Sequence, residues 1–247
     1  MNYLDQKVVV ITGASSGLGA ASARALAACG VRIVAAAIDG PGLNAFVADL
    51  RASGVDAVGK VTDVTDLDES RALARFAMDT YGALDILVNN AGLMLFSNWT
   101  DMAVNDWNKM IDVNIKGYLN MIAAVLPQML EQKSGHILNM ASVAGHQVGE
   151  AAGVYSASKF FVQAMTESMR KELGVKHGIR AGTISPGVIN TGWADKVEDP
   201  EGRKAARALN KIAISPDDIG RAVVYALNQP ANVTVNDLIV SPTRQDW

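Results

Sequence analysis

The 247-residue chain holds one cysteine, three histidines, seven prolines and few aromatic residues (6% Phe, Trp and Tyr). Each scarcity excludes something. Cys29 has no second thiol to pair with, so no internal disulfide can form and a reducing compartment is expected. It sits late in an Ala-rich helical stretch and reads as a small, buried apolar residue. His136, His146 and His177 are far apart and lack Cys, Asp or Glu at ligand spacing, which argues against a metal site. A formal charge of −3 offers no broad attraction for nucleic acid or an anionic membrane. No apolar run approaches the ~18 residues that a membrane span needs. Met1-Asn2-Tyr3-Leu4-Asp5 lacks the basic segment and apolar core of a secretory leader. The expectation is a cytoplasmic protein with neither nucleic-acid nor membrane partners.

What is present is a globular composition, 49% hydrophobic and 19% charged. Short apolar runs alternate with helical patterns. Strands are predicted over Val8–Ile11, Val31–Ala37, Val55–Val61, Leu84–Val88, His136–Met140, Arg180–Ser185 and Val233–Val240. Helices are predicted over Leu18–Ala28, Leu43–Ala52, Leu67–Tyr81, Val104–Glu131, Val154–Leu173 and Pro216–Asn228, with Pro41-Gly42 read as a break. This alternation predicts an α/β fold, one doubly wound parallel sheet of Rossmann type with helices on both faces. No linker or charge block divides the chain, so one domain over residues 1–247 is expected. Ligands of such sheets bind outside the carboxyl ends of the strands. The motifs below all fall there.

Thr12-Gly13-Ala14-Ser15-Ser16-Gly17-Leu18-Gly19 follows the first strand and opens the first helix. Glycines permit a tight turn and a close approach of backbone to a pyrophosphate, which meets the helix N-terminal N–H groups. Asp63, with Val64 beside it, ends the third strand, where a carboxylate can accept from the exocyclic amine of adenine. Asn89-Asn90-Ala91-Gly92 ends the fourth, a turn suited to a ribose. Asn114 is a poor helix-interior residue inside a long helical region, where it could anchor a water. Ser142 follows the fifth strand. Tyr155 and Lys159 stand four residues apart on one helix face, where an ammonium beside a phenol would lower the phenol's pKa towards neutrality. Each of these alone has a plain structural reading. A Ser/His/Asp hydrolase, which would need Gly-x-Ser-x-Gly at a strand-to-helix elbow, is disfavoured.

Taken together and in order, these residues resemble the short-chain dehydrogenase/reductase family over nearly the whole chain. Pro186-Gly187 completes the series. The resemblance implies that Tyr155 is the general acid/base, that Lys159 lowers its pKa and binds the nicotinamide ribose, and that Ser142 polarises the carbonyl. It implies that Asn114 holds a water linking Lys159 to a proton relay. Pro186, Gly187 and Val188 would border the nicotinamide, and Thr191 would contact its carboxamide or the phosphates. The ending Val235 to Thr243 lacks the family's usual Gly-Gly and looks closer to serine and 3-hydroxy-acid dehydrogenases.

The residues at the end of the second strand, Ala36-Ala37-Ile38-Asp39-Gly40-Pro41-Gly42, match neither usual cofactor pattern. No Arg or Lys stands where a 2′-phosphate would need one, and Asp39 would repel it. NAD(H) is therefore favoured, with NADP(H) kept open. Met94, His146, Val148, Ile189 and Trp193 are expected to line a mostly apolar pocket, with residues 192–210 as a lid. The expected substrate is a hydrophobic ketone, aldehyde or secondary alcohol. Two other readings stay open. A 3-oxoacyl-carrier-protein reductase would use Arg203, Lys204 and Arg207 for docking, and a non-catalytic nucleotide sensor would share the same fold. Pairing of the two long helices makes a homotetramer the expected assembly.

Overall fold

The computed structural model describes residues 1–192 and 200–246. Its strands are β1 (Val8–Thr12), β2 (Arg32–Ala37), β3 (Ala57–Val61), β4 (Ile86–Asn89), β5 (Gly135–Met140), β6 (Ile179–Pro186) and β7 (Asp237–Val240). They form one sheet in the order β3-β2-β1-β4-β5-β6-β7, and every neighbouring pair is parallel. The helices are α1 (Gly17–Ala27), α2 (Gly40–Ala52), α3 (Leu67–Tyr81), α4 (Val104–Ile111), α5 (Tyr118–Gln132), α6 (Gly153–Met169), α7 (Val175–His177), α8 (Pro200–Asn210) and α9 (Pro216–Leu227).

The centre of the sheet is buried on both faces, so β1, most of β2 and β4 are near-continuous apolar runs, while the edge strands β3 and β7 are partly exposed. Val9, Ile11, Ile33 and Ala35 point to one side and pack with Leu26 of α1, Leu43 and Phe46 of α2 and Ile219 of α9. Val8, Val10 and Val34 point to the other and meet Leu73 and Ala77 of α3 and Met121 and Val125 of α5. The sequence-based expectation of a doubly wound α/β fold is therefore met.

Helix ends follow local chemistry. Asp66 caps α3 by accepting from the N–H groups of Asp68 and Glu69, and Gly82 ends it at φ 69°, a conformation that a side chain disfavours. Pro41-Gly42 does not break the chain, contrary to the sequence-based expectation. It lies in the first turn of α2, where proline has no N–H to lose, and Asp39 caps that turn. The expected helix over Val104–Glu131 is one continuous rod with a π-helical turn at Asp112–Gly117. β7 is shorter than expected, because Val233 turns back to bond Pro230. No helix among the described residues is long and apolar enough to cross a membrane.

Candidate active site

From β1 the chain winds outward to β2 and β3, then returns to place β4 on the other side of β1. The gap above this reversal is where doubly wound sheets bind ligands. The glycine-rich turn lies directly over it. Gly13 (φ 63°) and Gly17 (φ 54°) adopt left-handed conformations. Gly19 needs its missing side chain for packing, since a Cβ there would lie 2.2 Å from the Gly13 carbonyl oxygen. Ser16 stands at the N-cap of α1, yet its hydroxyl caps no N–H of that helix. Between Ser15 and Leu18, the first turn of α1 thus keeps backbone donors at the positive end of its dipole. Thr191 lies across the turn, its side chain 3.7 Å from where a Gly17 Cβ would be. This donor set fits a pyrophosphate.

The turn is fastened to the end of β4. The Thr12 hydroxyl accepts from the N–H groups of Asn90 (2.9 Å) and Ala91 (3.0 Å). The Asn90 amide donates back to the Thr12 carbonyl (2.9 Å). Asn90 therefore shapes the cleft floor, and Gly92 is exposed above it. Asp63 is half-buried and uses one oxygen on the N–H (2.9 Å) and hydroxyl (2.8 Å) of Thr65. Val64 beside it is buried. The exposed Asp39 carboxylate accepts from the Gly42 N–H at 3.1 Å, so it serves first as a helix cap.

Ser142, Tyr155, Lys159 and Asn114 are brought together at the carboxyl end of β5. The Ser142 side chain is close enough to the Tyr155 phenol to lower its pKa, while its hydroxyl accepts from the Ala144 N–H (3.1 Å) and donates weakly to the Pro186 carbonyl (3.5 Å). Lys159 is 4% exposed and donates to the Met140 carbonyl at 2.8 Å. Its ammonium lies 5.4 Å from the ring centre of Tyr118 and 5.8 Å from that of Tyr155. Burial lowers its pKa to about 8, so it remains mostly charged at neutral pH. Tyr155 differs from expectation. Burial raises its pKa, and Ser142 offsets only part of that rise. The Lys159 ammonium lies over the ring face with one of its three N–H donors on the Met140 carbonyl, and burial of the phenol outweighs the lowering that the helix spacing suggested.

Of the two groups with which Asn114 could anchor a water, its side chain and its peptide carbonyl, the side chain is already engaged. Its side chain is completely buried, accepts from Leu93 N–H (2.8 Å), and donates to the Leu93 carbonyl (2.8 Å) and the Ser158 hydroxyl (3.1 Å). It locks the loop after β4 onto α6. The expected water would fall to its peptide carbonyl, which lies in a π turn that distorts the helix there.

The substrate-pocket expectation is partly overturned. Ile189 is buried in the core cluster with α1 and α9, because its backbone bridges to Ile214. His146 directs its Nε2 to Gln163 (2.9 Å), Ser185 (3.1 Å) and Asp237 (3.3 Å). Met94 is half-buried and Val148 exposed on the loops around the cleft. Pro186 and Val188 are buried beside Gly187. Trp193, and the stretch 193–199 of the expected lid, lie outside the described residues; residues 200–210 form α8.

Gly13-x-Ser15-x-Gly17 does satisfy the string of a hydrolase elbow. No histidine among the described residues hydrogen-bonds Ser15. His146 bonds Ser185 and Gln163, and His136 is buried in β5. Sequence reasoning also missed Tyr118, whose hydroxyl shares the Met140 carbonyl with Lys159 at 2.8 Å. Its signal was weak: a tyrosine in a helical stretch reads as ordinary core. No group of three or more potential metal ligands occurs among the described residues.

Residues 7–202 match the model of the family described as short chain dehydrogenase. A protein of Staphylococcus saprophyticus named as an uncharacterized oxidoreductase is 44% identical over 247 residues, covering 99% of both chains. Among solved structures, a short chain dehydrogenase/reductase from Burkholderia phymatum in complex with NAD superposes with a TM-score of 0.87 at 30% identity, covering 98% of this chain and 91% of that one. An alcohol dehydrogenase from the archaeon Thermococcus sibiricus, complexed with 5-hydroxy-NADP, superposes at 0.85 with 26% identity over 98% of each.

Proposed function

Since the chain belongs to the short-chain dehydrogenase family and is an oxidoreductase of that fold, we propose that it interconverts a ketone or aldehyde and the corresponding alcohol, on a fairly hydrophobic substrate, with NAD(H). The observation that carries this reading is the buried Lys159 ammonium over the Tyr155 ring, with Ser142 beside the phenol, at the edge of a cleft whose floor is a glycine-rich turn.

The first turn of α1 would hold the pyrophosphate, Asp63 and Val64 the adenine, and Lys159 the nicotinamide ribose. A bound nicotinamide supplies or accepts the hydride. In reduction, Ser142 donates to the carbonyl oxygen and Tyr155 delivers the proton to it. A phenol kept protonated by burial suits this donor role at neutral pH. In oxidation the phenol must first ionise. The positive charge of Lys159 helps most when an alcohol proton moves to Tyr155, because both partners are held out of water.

Asp39 supports NAD(H) over NADP(H): an exposed carboxylate at the end of β2 repels a 2′-phosphate, and no cation stands at Ile38. Apolar side chains of Val104, Ile111, Leu119 and Phe160 are exposed on α4, α5 and α6, which supports a homotetramer paired through those helices. A tetrameric mass by solution scattering is expected.

The deciding measurement is NADH and NADPH oxidation against a panel of ketones and aldehydes. Turnover with NADH is expected. Tyr155→Phe should lower kcat by roughly 10²–10⁴-fold with nucleotide affinity retained. Full turnover in that variant would overturn the assignment.

A further inference from the structure

Ser142 and His146 are the two ends of one short turn. Gly145 N–H bonds the Ser142 carbonyl (2.8 Å) and His146 N–H the Val143 carbonyl (2.9 Å), while the Ser142 hydroxyl also accepts from Ala144 N–H (3.1 Å). The turn presses on α6 so tightly that a Gly145 Cβ would lie 2.9 Å from the Lys159 carbonyl oxygen. At its far end, His146 enters a polar cluster. Its Nε2 lies 2.9 Å from Gln163, 3.1 Å from Ser185 and 3.3 Å from Asp237. Gln163 donates to Ser185 (2.8 Å), and its other amide end accepts from Thr183 (3.1 Å). Asp237 closes the cluster by accepting from Thr183 (2.7 Å) and Ser185 (3.1 Å).

The cluster joins three elements. Gln163 lies one turn along α6 from Lys159, Thr183 and Ser185 come from β6, and Asp237 begins β7. It therefore fixes the helix carrying Tyr155 and Lys159 relative to the turn carrying Ser142. Resting on the function proposed above and deepening it, we infer that His146, Gln163, Ser185 and Asp237 form a strut of positioning residues that sets the Ser142 hydroxyl against the Tyr155 phenol. None of the four needs to touch substrate for this role. Asp237 contributes most, since its carboxylate faces His146 and holds both β6 hydroxyls.

The strut is tested by the pH midpoint of Tyr155 ionisation, read from tyrosinate absorbance of the full chain in excess NAD⁺ with Tyr155→Phe as the blank. Ser142→Ala is the reference for complete loss of the Ser142 contact, and it should raise the midpoint. Asp237→Ala should raise it towards the Ser142→Ala value, and Asp237→Asn, which keeps an acceptor oxygen, should restore most of the wild-type value. His146→Gln breaks the other end and decides the matter should Asp237→Ala fail to fold. Asp237→Ala should also lower kcat by about tenfold, the rate equivalent of one pKa unit, with KM and the NAD⁺ dissociation constant within about twofold. Midpoints at the wild-type value in Asp237→Ala and His146→Gln, while Ser142→Ala shifts, would overturn the strut and leave the oxidoreductase reading standing. An unmoved midpoint in Ser142→Ala would overturn the strut as well, while the oxidoreductase reading falls only if the wild-type chain turns over no carbonyl substrate.

Discussion

At the amino end of β5 the imidazole of His136 is 1% exposed, and neither of its nitrogens has a hydrogen-bond partner among the described residues. At the carboxyl end the Lys159 ammonium is nearly as buried, but it donates to the Met140 carbonyl and lies over the rings of Tyr118 and Tyr155. Both bases lose water, and both pKa values fall in consequence, that of His136 to about 3 and that of Lys159 to about 8. Arg180 adds to the fall at His136. The difference lies first in the starting point, 10.5 for Lys159 against 6.5 for His136, so a fall of similar size leaves only Lys159 cationic at neutral pH. A carbonyl dipole and two π faces also accompany the Lys159 charge, while nothing comparable faces His136. A base that starts high and keeps a few fixed dipoles survives burial as a tool.

Lys159→Met removes the tool and should abolish nearly all turnover, by roughly 10²–10⁴-fold. The same variant should be more stable at pH 7 by about 1–3 kcal/mol, because a burial cost disappears. Below the folded pKa of about 8 that gain is fully present; as pH rises towards 10.5 the unfolded chain also sheds the proton and the gain vanishes. Thermal denaturation across that range measures it. A Lys159→Met protein less stable than the wild type at pH 7 would show that the ammonium is held at no net cost.

His136 should reveal itself on the acid side. Its folded pKa lies below the ordinary 6.5, so between 6.5 and about 3 the unfolded chain binds the proton and the folded chain does not. Stability should fall as pH falls through that window, with a slope of up to about 1.4 kcal/mol for each pH unit from this group. His136→Leu should flatten that slope in denaturant titrations, and parallel curves for the two proteins would refute the assignment. A smaller effect is expected from Gly145→Ala. Its methyl would meet the Lys159 carbonyl and force the turn and α6 apart, costing about 1–3 kcal/mol in urea unfolding.

Much of this architecture could be read beforehand, for physical reasons that differ by residue. α3 was legible to its ends, because Asp66 and Gly82 are unambiguous start and stop chemistry. The glycine-rich turn was legible because it stood between a buried strand and a helix. α2 was not, since Gly40-Pro41-Gly42 looks like a break until Asp39 is seen to cap it. Ser142, Tyr155 and Lys159 could be named from the chain, but the direction of the Tyr155 shift could not. Helix spacing brings Lys159 near, but the depth at which the phenol is buried, which raises its pKa, shows only in the folded chain. The cluster of His146, Gln163, Thr183, Ser185 and Asp237 left no trace in the sequence, because its members span more than ninety positions and meet only when β6, β7 and α6 are assembled. Ile189 was misread for a related reason: an apolar residue after a strand can face a cleft or a core, and its bridge to Ile214 settles which.

The Thr12–Asn90 fastening carries a consequence for binding kinetics. Because the protein's own hydrogen bonds already tie the two loops beneath the cleft, an arriving nucleotide has little chain entropy to extract there. Capture should therefore proceed in one observable step, at a rate proportional to nucleotide concentration and without a plateau from slow loop ordering. Thr12→Val would cut the fastening, and a saturating rate in that variant would reveal the disorder that two small polar side chains normally suppress.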